Sequence, residues 1–206
     1  MYGRYWGYAC GRMRVFLGMT GASGAPYAAR LLRELVGAGC EVGVCASGAG
    51  IEVLATELHG DPDLGRDEVL FRLTEGFEGV TIVAPEDYSS AYASGSAKVD
   101  AYVICPCSMG TLGTIAAGSM TNLIHRAASV ALKEGRRLIL VPRETPLSTI
   151  HLENMLRVRQ AGAVVLFAAP GFYHGAETVD ELVAFVVGRC LDQLGIEHAL
   201  TKRWGE

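Results

Sequence analysis

The sequence predicts a three-layer αβα fold with a mostly parallel sheet. Short apolar runs alternate with segments whose apolar residues recur at helical spacing along all 206 residues, which is the pattern of strands joined by crossover helices. The run at residues 101–105, AYVIC, is apolar on both faces, as expected for a central strand of a parallel sheet. No repeat or linker divides the chain, so we expect a single domain over residues 13–206. Met13 directly precedes the first predicted strand, and we expect residues 1–12 to be a disordered extension.

Composition and charge exclude several classes of protein. A hydrophobic content of 50% with 19% charged residues is typical of a folded globular chain. The net charge of −4 provides no basic surface for a nucleic acid. Residues 101–125 carry no charge, but Pro106 and several hydroxyl residues interrupt them, so we expect no membrane span.

The six cysteines include no C-x-x-C pair, and most stand within apolar runs. That usage is typical of buried free thiols in a reducing compartment. We therefore expect a cytoplasmic protein without a structural metal site.

The most informative stretch, residues 15–32, predicts a strand, a glycine turn and a helix. The turn carries Gly18, Gly21 and Gly24 with Ser23 among them, and exposed N–H groups at the start of the helix would favour a phosphate. The glycines are spaced G-x-x-G-x-x-G, no acidic residue ends the second strand, and no P-loop motif occurs. A mononucleotide such as FMN, or a structural turn without a ligand, therefore remains open.

The other elements follow the same alternation. Ser47, Ser108 and Asn122 each stand where a helix cap is expected, whereas residues 59–79 form a polar connector without a clear period. Residues 89–98 are rich in small side chains and predict either a surface loop or a lid. Further strands are predicted at 41–46, 80–84, 137–141 and 163–167, and further helices at 147–160 and 178–194.

Polar side chains predicted at strand ends or in loops form a candidate site. They are Ser23, Ser47, Glu57, Ser108, Thr111, Arg126, Lys133, Arg143, Glu144, Tyr173 and Arg189. Four of them are cations in an acidic protein, and their convergence would suit ligands with two phosphate groups. Separate solvated side chains are the alternative for each cation. Glu144 could act as an acid or base, and Ser23 could relay a proton.

Seven short motifs, in order along the chain, resemble those of the flavin prenyltransferase (UbiX) family. They are TGASGA (20–25), CPCSMGTL (105–112), RAA (126–128), LKE (132–134), VPRETPL (141–147), IHLENM (150–155) and PGFYH (170–174). The resemblance extends over residues 14–206. It implies a flavodoxin-like Rossmann fold that binds FMN and dimethylallyl monophosphate without a metal.

The resemblance also implies an activity. Members of this family attach the dimethylallyl group to N5 of reduced FMN and then close a ring at C6, and the prenylated FMN serves a partner decarboxylase of the UbiD type. They commonly form dodecamers with sites at subunit interfaces, so we expect a homo-oligomer.

The resemblance further assigns roles to residues of this chain. FMN is expected to contact Gly21, Ala22, Ser23, Ser47, Ser108, Met109, Gly110, Thr111 and Arg143. The prenyl phosphate is expected at Lys133, Tyr173 and Arg189, with Arg126 nearby. Ser23 and Glu144 would move protons, and Trp204 would close the pocket. Glu57 falls at the acidic position that the family has in its second helix.

The sequence differs from the family pattern at two positions, and two other functions remain open. Gly48 stands where members often have Lys, and Ser129 stands where Asp is common. An FMN-dependent decarboxylase of the same fold, acting on aromatic acids or cysteine, is one alternative. The cysteine type relies on an early catalytic His, whereas the first His here is His59. The other alternative is an FMN carrier.

Overall fold

The computed structural model describes residues 12–201 and residue 205, and their helices and strands alternate as predicted. In chain order they are β1 (Arg14–Met19), α1 (Ala25–Gly37), β2 (Glu41–Ala46), α2 (Gly48–His59), α3 (Arg66–Thr74), β3 (Val80–Ile82), a 3-10 helix (Ala91–Ala93), β4 (Ala101–Cys107), α4 (Met109–Ala116), α5 (Leu123–Lys133), β5 (Arg137–Pro142), α6 (Thr149–Gln160), β6 (Val164–Val165) and α7 (Val179–Leu194).

The six strands form one parallel sheet in the order β3-β2-β1-β4-β5-β6. The order reverses between β1 and β4, because the chain moves outward from β1 to one side and later returns to build β4 on the other side. In open α/β sheets the loops that follow two such strands diverge and leave a crevice at their carboxyl ends, where ligands bind. The topology therefore places the glycine turn and the loop after β4 beside this crevice.

Two hydrophobic cores lie on the two faces of the sheet. Val15, Leu17 and Met19 of β1 pack with α1, α2, α3 and α7. Phe16 and Tyr102 pack with α4, α5 and α6 on the opposite face. The alternation along β1 and β4 thus sends side chains into both cores, which confirms the predicted three layers.

The cysteines in the described part of the chain are free and buried, as expected. Burial raises the pKa of Cys107 and of Cys190 to about 12, so both remain protonated and unreactive at neutral pH. Cys10 lies outside the described residues.

One predicted segment differs from the structure, and the structure decides between the two alternatives for another. Helix α3 lies within the expected connector at residues 59–79. Only Val69, Leu70 and Leu73 of this short helix are buried, which is too few apolar positions to give a clear helical period in the sequence. The segment 89–98 is anchored rather than lid-like, since Arg126 donates to the Ala93 carbonyl and Arg136 donates to that of Gly95. It packs beside α5 and not over the glycine turn.

Several expectations lie partly outside the described residues. Residues 1–11 are among those not described, so the N-terminal extension stays a prediction. In the described ranges, no helix has both the length and the apolar character needed to cross a membrane. Nor do those ranges contain a group of three or more side chains arranged to hold a metal ion.

Candidate functional site at the switch point

The glycine turn, residues 20–24, packs tightly against the start of α2. A Cβ atom on Gly21 would lie 2.6 Å from the Cβ of Ala49, and one on Gly50 would lie 2.5 Å from the Met19 carbonyl oxygen. Gly24 has a φ of 138°, which side chains other than glycine rarely adopt. The three glycines therefore allow β1, the turn and α2 to approach more closely than any larger residue would.

Thr20 joins the glycine turn to the end of β4. Its Oγ1 donates to the Pro106 carbonyl over 3.0 Å and accepts from the Ser108 N–H over 2.8 Å. The Thr20 N–H also donates to Pro106, and the residue is 2% exposed. Thr20 is the first residue of the first motif that resembles the family, but no pattern in the sequence predicts its role in joining the turn to β4.

Two helices begin at the crevice with the predicted caps. Ser47 Oγ accepts from the Gly50 N–H over 3.0 Å at the start of α2. Ser108 Oγ accepts from the Thr111 N–H over 3.2 Å at the start of α4, and donates to Thr111 Oγ1. Such helix N-termini carry partial positive charge and unpaired N–H groups, which favour an anion.

The start of α1, in contrast, is already occupied by a carboxylate. Glu57 Oε2 accepts from the N–H groups of Gly24 and Ala25 over 2.9 and 2.8 Å. Glu57 lies near the end of α2, so this contact shows that α2 runs back across the sheet edge to the glycine turn. A phosphate at this helix would meet a like charge, so the prediction that the N-terminus of α1 binds the phosphate is wrong. The starts of α2 and α4 remain available.

Arg143 crosses from β5 to the glycine turn. Its Nε donates to the Ser23 carbonyl over 3.2 Å, and the side chain is half-buried. The neighbouring Glu144 accepts from the Thr145 N–H. Ser23 and Arg143, predicted from separate motifs, are therefore brought together at one edge of the sheet, and Glu144 follows directly.

The residues expected at the prenyl phosphate do not meet within one protomer. Lys133 ends α5 and forms an ion pair with Glu134, four residues before β5 begins and so at the sheet edge opposite the glycine turn. Arg189 lies on α7, which packs on the other face of the sheet. Lys133 and Arg189 are therefore not brought together within one chain, because the helices that carry them lie on opposite faces of the sheet. Convergence of the four cations on one pocket stays a prediction.

Tyr173 and Arg189 do share one surface. The Tyr173 ring lies edge-on to Phe185 at 5.9 Å, and Arg189 follows Phe185 by one turn of α7. Arg126 is held by the Ala93 carbonyl and by Met120 Sδ, so it supports the 3-10 segment and not the crevice. Trp204 lies outside the described residues.

The groups at the crevice fit a flavin mononucleotide. Ser47, Gly48 and Ala49 open one helix, and Met109 and Gly110 open another, while Arg143 adds a permanent positive charge. These donors suit the phosphate and the polar edge of a flavin. Gly21 and Ser23 are exposed at the turn, and Ala22 is 6% exposed, so the turn presents backbone and a single hydroxyl to a ligand.

The fold and this site are those of a flavoprotein, and the Flavoprotein family matches residues 8–191. The chain is 49% identical to the flavin prenyltransferase UbiX of Halalkalibacterium halodurans over 92% of both chains. It therefore belongs to the UbiX family of flavin prenyltransferases.

Solved structures agree with this placement. A crystal structure of AnUbiX (PadA1) in complex with FMN and dimethylallyl pyrophosphate superposes with a TM-score of 0.85 at 36% identity, covering 95% of this chain and 98% of that one. A dodecameric FMN-dependent UbiX-like decarboxylase from Escherichia coli O157:H7 gives a TM-score of 0.83 at 41% identity, covering 94% of this chain and all of the other.

Proposed function

We propose that this protein transfers a dimethylallyl group from dimethylallyl monophosphate to reduced FMN, first at N5 and then with ring closure at C6. The observation that carries the proposal is the convergence of the glycine turn, the starts of α2 and α4, and Arg143 at the switch point. Two relatives that are 49% and 48% identical to this chain are named flavin prenyltransferases.

The residues at the crevice would bind and orient FMN. Arg143 and the two helix N-termini offer positive potential, and the close contact between Gly21 and Ala49 leaves the turn backbone open to the ligand. Reduced FMN would supply the nucleophilic N5, which bonds to the dimethylallyl group as the bond of that group to phosphate breaks. Ring closure would then join C6 to the other end of the group, whose double bond takes up a proton while C6 loses one. Ser23 has an exposed hydroxyl at the turn, and we assign it the proton at N5.

The leaving phosphate needs cations and a proton donor. Departing negative charge is stabilised by groups held in place before the reaction, and Lys133, Tyr173 and Arg189 are our candidates. Because α5 and α7 lie on opposite faces of the sheet, we propose that Lys133 comes from a different copy of the chain than Tyr173 and Arg189. We assign the proton transfer to Glu144, which stands beside Arg143 at the crevice.

Assembly and product use complete the proposal. A dodecameric relative supports a homo-oligomer here, and in it the site would lie between copies. The product would be a modified flavin. We propose that a decarboxylase of the UbiD type receives it.

The cysteine-decarboxylase alternative has less support. Its early catalytic His has one counterpart by order in the chain, His59, which lies at the end of α2 and not in a loop that follows a strand of the sheet. An FMN carrier would leave the paired Tyr173 and Arg189 surface without a purpose.

Mass analysis of the flavin tests the proposed function. The purified protein is incubated anaerobically with reduced FMN and dimethylallyl monophosphate, without added metal, and the molecular mass of the released flavin is measured. A gain of one dimethylallyl unit is expected. Unchanged flavin, recovered from protein shown to bind it, would overturn the proposal and direct the assay to thiol-bearing carboxylic acids. A parallel sample with the diphosphate measures the preference between donors.

A further inference from the structure

Three side chains, Arg189, Asp192 and His198, form a network that links α7 to the segment after it. Arg189 Nη1 donates to Asp192 Oδ2, and His198 Nε2 lies 3.2 Å from Asp192 Oδ1. The carboxylate therefore bridges a guanidinium and an imidazole, one on each oxygen. Neither Asp192 nor His198 belongs to the motifs that resemble the family.

The backbone fixes which imidazole nitrogen carries the proton. The Leu200 N–H donates to His198 Nδ1 over 3.3 Å, so Nδ1 acts as an acceptor and the proton of a neutral ring stands on Nε2. Nε2 then donates to Asp192. The ring is thereby oriented from one side by the backbone and holds the carboxylate on the other side.

Exposure increases along the network from its anchor to its tip. The His198 side chain is 5% exposed, that of Asp192 is 19% exposed, and that of Arg189 is 53% exposed. Within the described part of the chain, Arg189 donates through Nη1 alone. Its Nε and Nη2 groups remain for a ligand, and such a planar fork suits a phosphate.

Gly188 provides the space for the anchor. A Cβ atom on Gly188 would lie 2.9 Å from His198 Cε1, which is closer than carbon atoms pack. The imidazole therefore rests directly on the backbone of α7. A side chain at position 188 would push it away from Asp192.

The tip of the network borders an apolar cavity. Arg189 and Gln193 line a cavity of about 210 Å³ between α7 and the segment that includes β6. The rest of its wall is hydrophobic: Val164, Val165, Leu166, Phe167, Ala169, Phe185 and Val186. An apolar wall with a guanidinium at its rim suits a ligand that joins a short hydrocarbon to an anionic head.

We infer that Asp192 and His198 are positioning residues that hold Arg189 in place for the phosphate of the prenyl donor. The inference rests on the proposed function, because it takes the ligand of Arg189 to be dimethylallyl monophosphate. Asp192 fixes one arm of the guanidinium, and His198 fixes Asp192. Both act on donor binding and not on FMN.

Binding of the donor without turnover provides the direct test. Calorimetric titration of dimethylallyl monophosphate into protein saturated with oxidised FMN measures donor affinity even if no transfer occurs. Asp192→Ala is expected to raise the donor Kd about tenfold, the size of one lost charge-assisted hydrogen bond, and to leave the Kd of FMN unchanged. Glu68→Gln, which breaks a comparable surface ion pair with Arg72 on α3, is the matched control and should change neither.

A double-mutant cycle shows whether Asp192 acts through Arg189. Arg189→Ala is expected to weaken donor binding more than Asp192→Ala does. The combined variant should bind the donor no more weakly than Arg189→Ala alone. Additive losses would overturn the inference, as would a wild-type protein that binds FMN but not the donor. A wild-type protein that binds the donor yet forms no prenylated flavin would contradict the proposed function. The double-mutant cycle on donor binding would still test the present inference.

Variants of the anchor separate positioning from folding. His198→Gln keeps an N–H donor near the Nε2 position and should retain most donor affinity, whereas His198→Leu should lose it. Gly188→Ala removes no polar group, but it should also raise the KM for the donor severalfold, with kcat nearly unchanged. The melting temperature of each variant is measured alongside. Equal donor affinity in wild type, His198→Leu and Gly188→Ala would contradict the role of His198.

Discussion

Two groups of residues carry the proposed activity, and one protomer assembles only the first. At the switch point, Thr20 bonds to Pro106 and Ser108, and Arg143 donates to the Ser23 carbonyl, through hydrogen bonds of 2.8 to 3.2 Å. Lys133 and Arg189, in contrast, lie on helices that cover opposite faces of the sheet. A parallel sheet collects the loops at its carboxyl edge, whereas helices distribute their exposed side chains over the whole surface.

The difference shows what each half of the site needs. The flavin half depends on close backbone packing, because Gly21 and Gly50 leave no space for a side chain. In our proposal, the donor half depends on charges that a second copy of the chain completes. The two halves should therefore respond to different kinds of change.

The largest expected effect comes from mixing two inactive variants. Lys133→Ala and Arg189→Ala should each lose at least about 100-fold in transfer rate, the size of a missing charge on a leaving phosphate. In mixed oligomers some sites would receive Lys133 from one subunit and Arg189 from another. Co-expression should then restore about a quarter of the wild-type rate by random assortment of two subunits. A mixture as inactive as its parents would mean that one chain supplies both residues.

Glu144→Gln should separate the chemistry from flavin binding. Loss of a proton-transferring group typically slows a reaction about 100-fold or more, so we expect slow transfer with normal FMN affinity. Ser23→Ala should behave in the same way, whereas Arg143→Ala should instead lower the affinity for FMN. Flavin fluorescence and single-turnover rates measure both quantities. Transfer by Glu144→Gln at the wild-type rate would remove the assigned role.

Gly21→Ala tests whether the flavin half depends on backbone packing. The added methyl would meet the Cβ of Ala49 at 2.6 Å, so the turn must move and FMN affinity should fall about tenfold, or about 1.4 kcal/mol. The double variant Gly21→Ala/Ala49→Gly should recover it. Gly37→Ala, where nothing lies within 4 Å of the new methyl, is the control and should bind FMN normally.

Thr20→Val tests the connection between the turn and β4. Valine keeps the shape of the buried Thr20 but leaves the half-buried Ser108 N–H without its acceptor, which costs about 1–3 kcal/mol of unfolding free energy. Thr20→Ser keeps the hydroxyl and should lose much less. Urea denaturation of the three proteins gives the values. Equal stability of the Val and Ser variants would show that the hydroxyl is dispensable.

The smallest expected effect belongs to Glu57. Glu57→Gln keeps an oxygen acceptor for Gly24 and Ala25 but removes the charge from the start of α1. We expect a loss of about 0.5–1 kcal/mol of unfolding free energy, reduced by salt. If FMN bound more tightly to Glu57→Gln, the flavin phosphate would lie at α1 after all.

The sequence by itself determined the alternation of strands and helices, the caps at Ser47, Ser108 and Asn122, and the motifs that place the chain in its family. These features depend on residues near one another in the chain, where local hydrogen bonding and side-chain period decide the structure.

Only the tertiary structure decided that Glu57 occupies the start of α1, that Thr20 joins two strands, and that Lys133 and Arg189 lie on opposite faces. Each of these depends on residues between 32 and 88 positions apart in the chain, or on the side of the sheet that a helix covers. The period of a helix shows which of its residues are buried, but the crossover path decides which face of the sheet buries them.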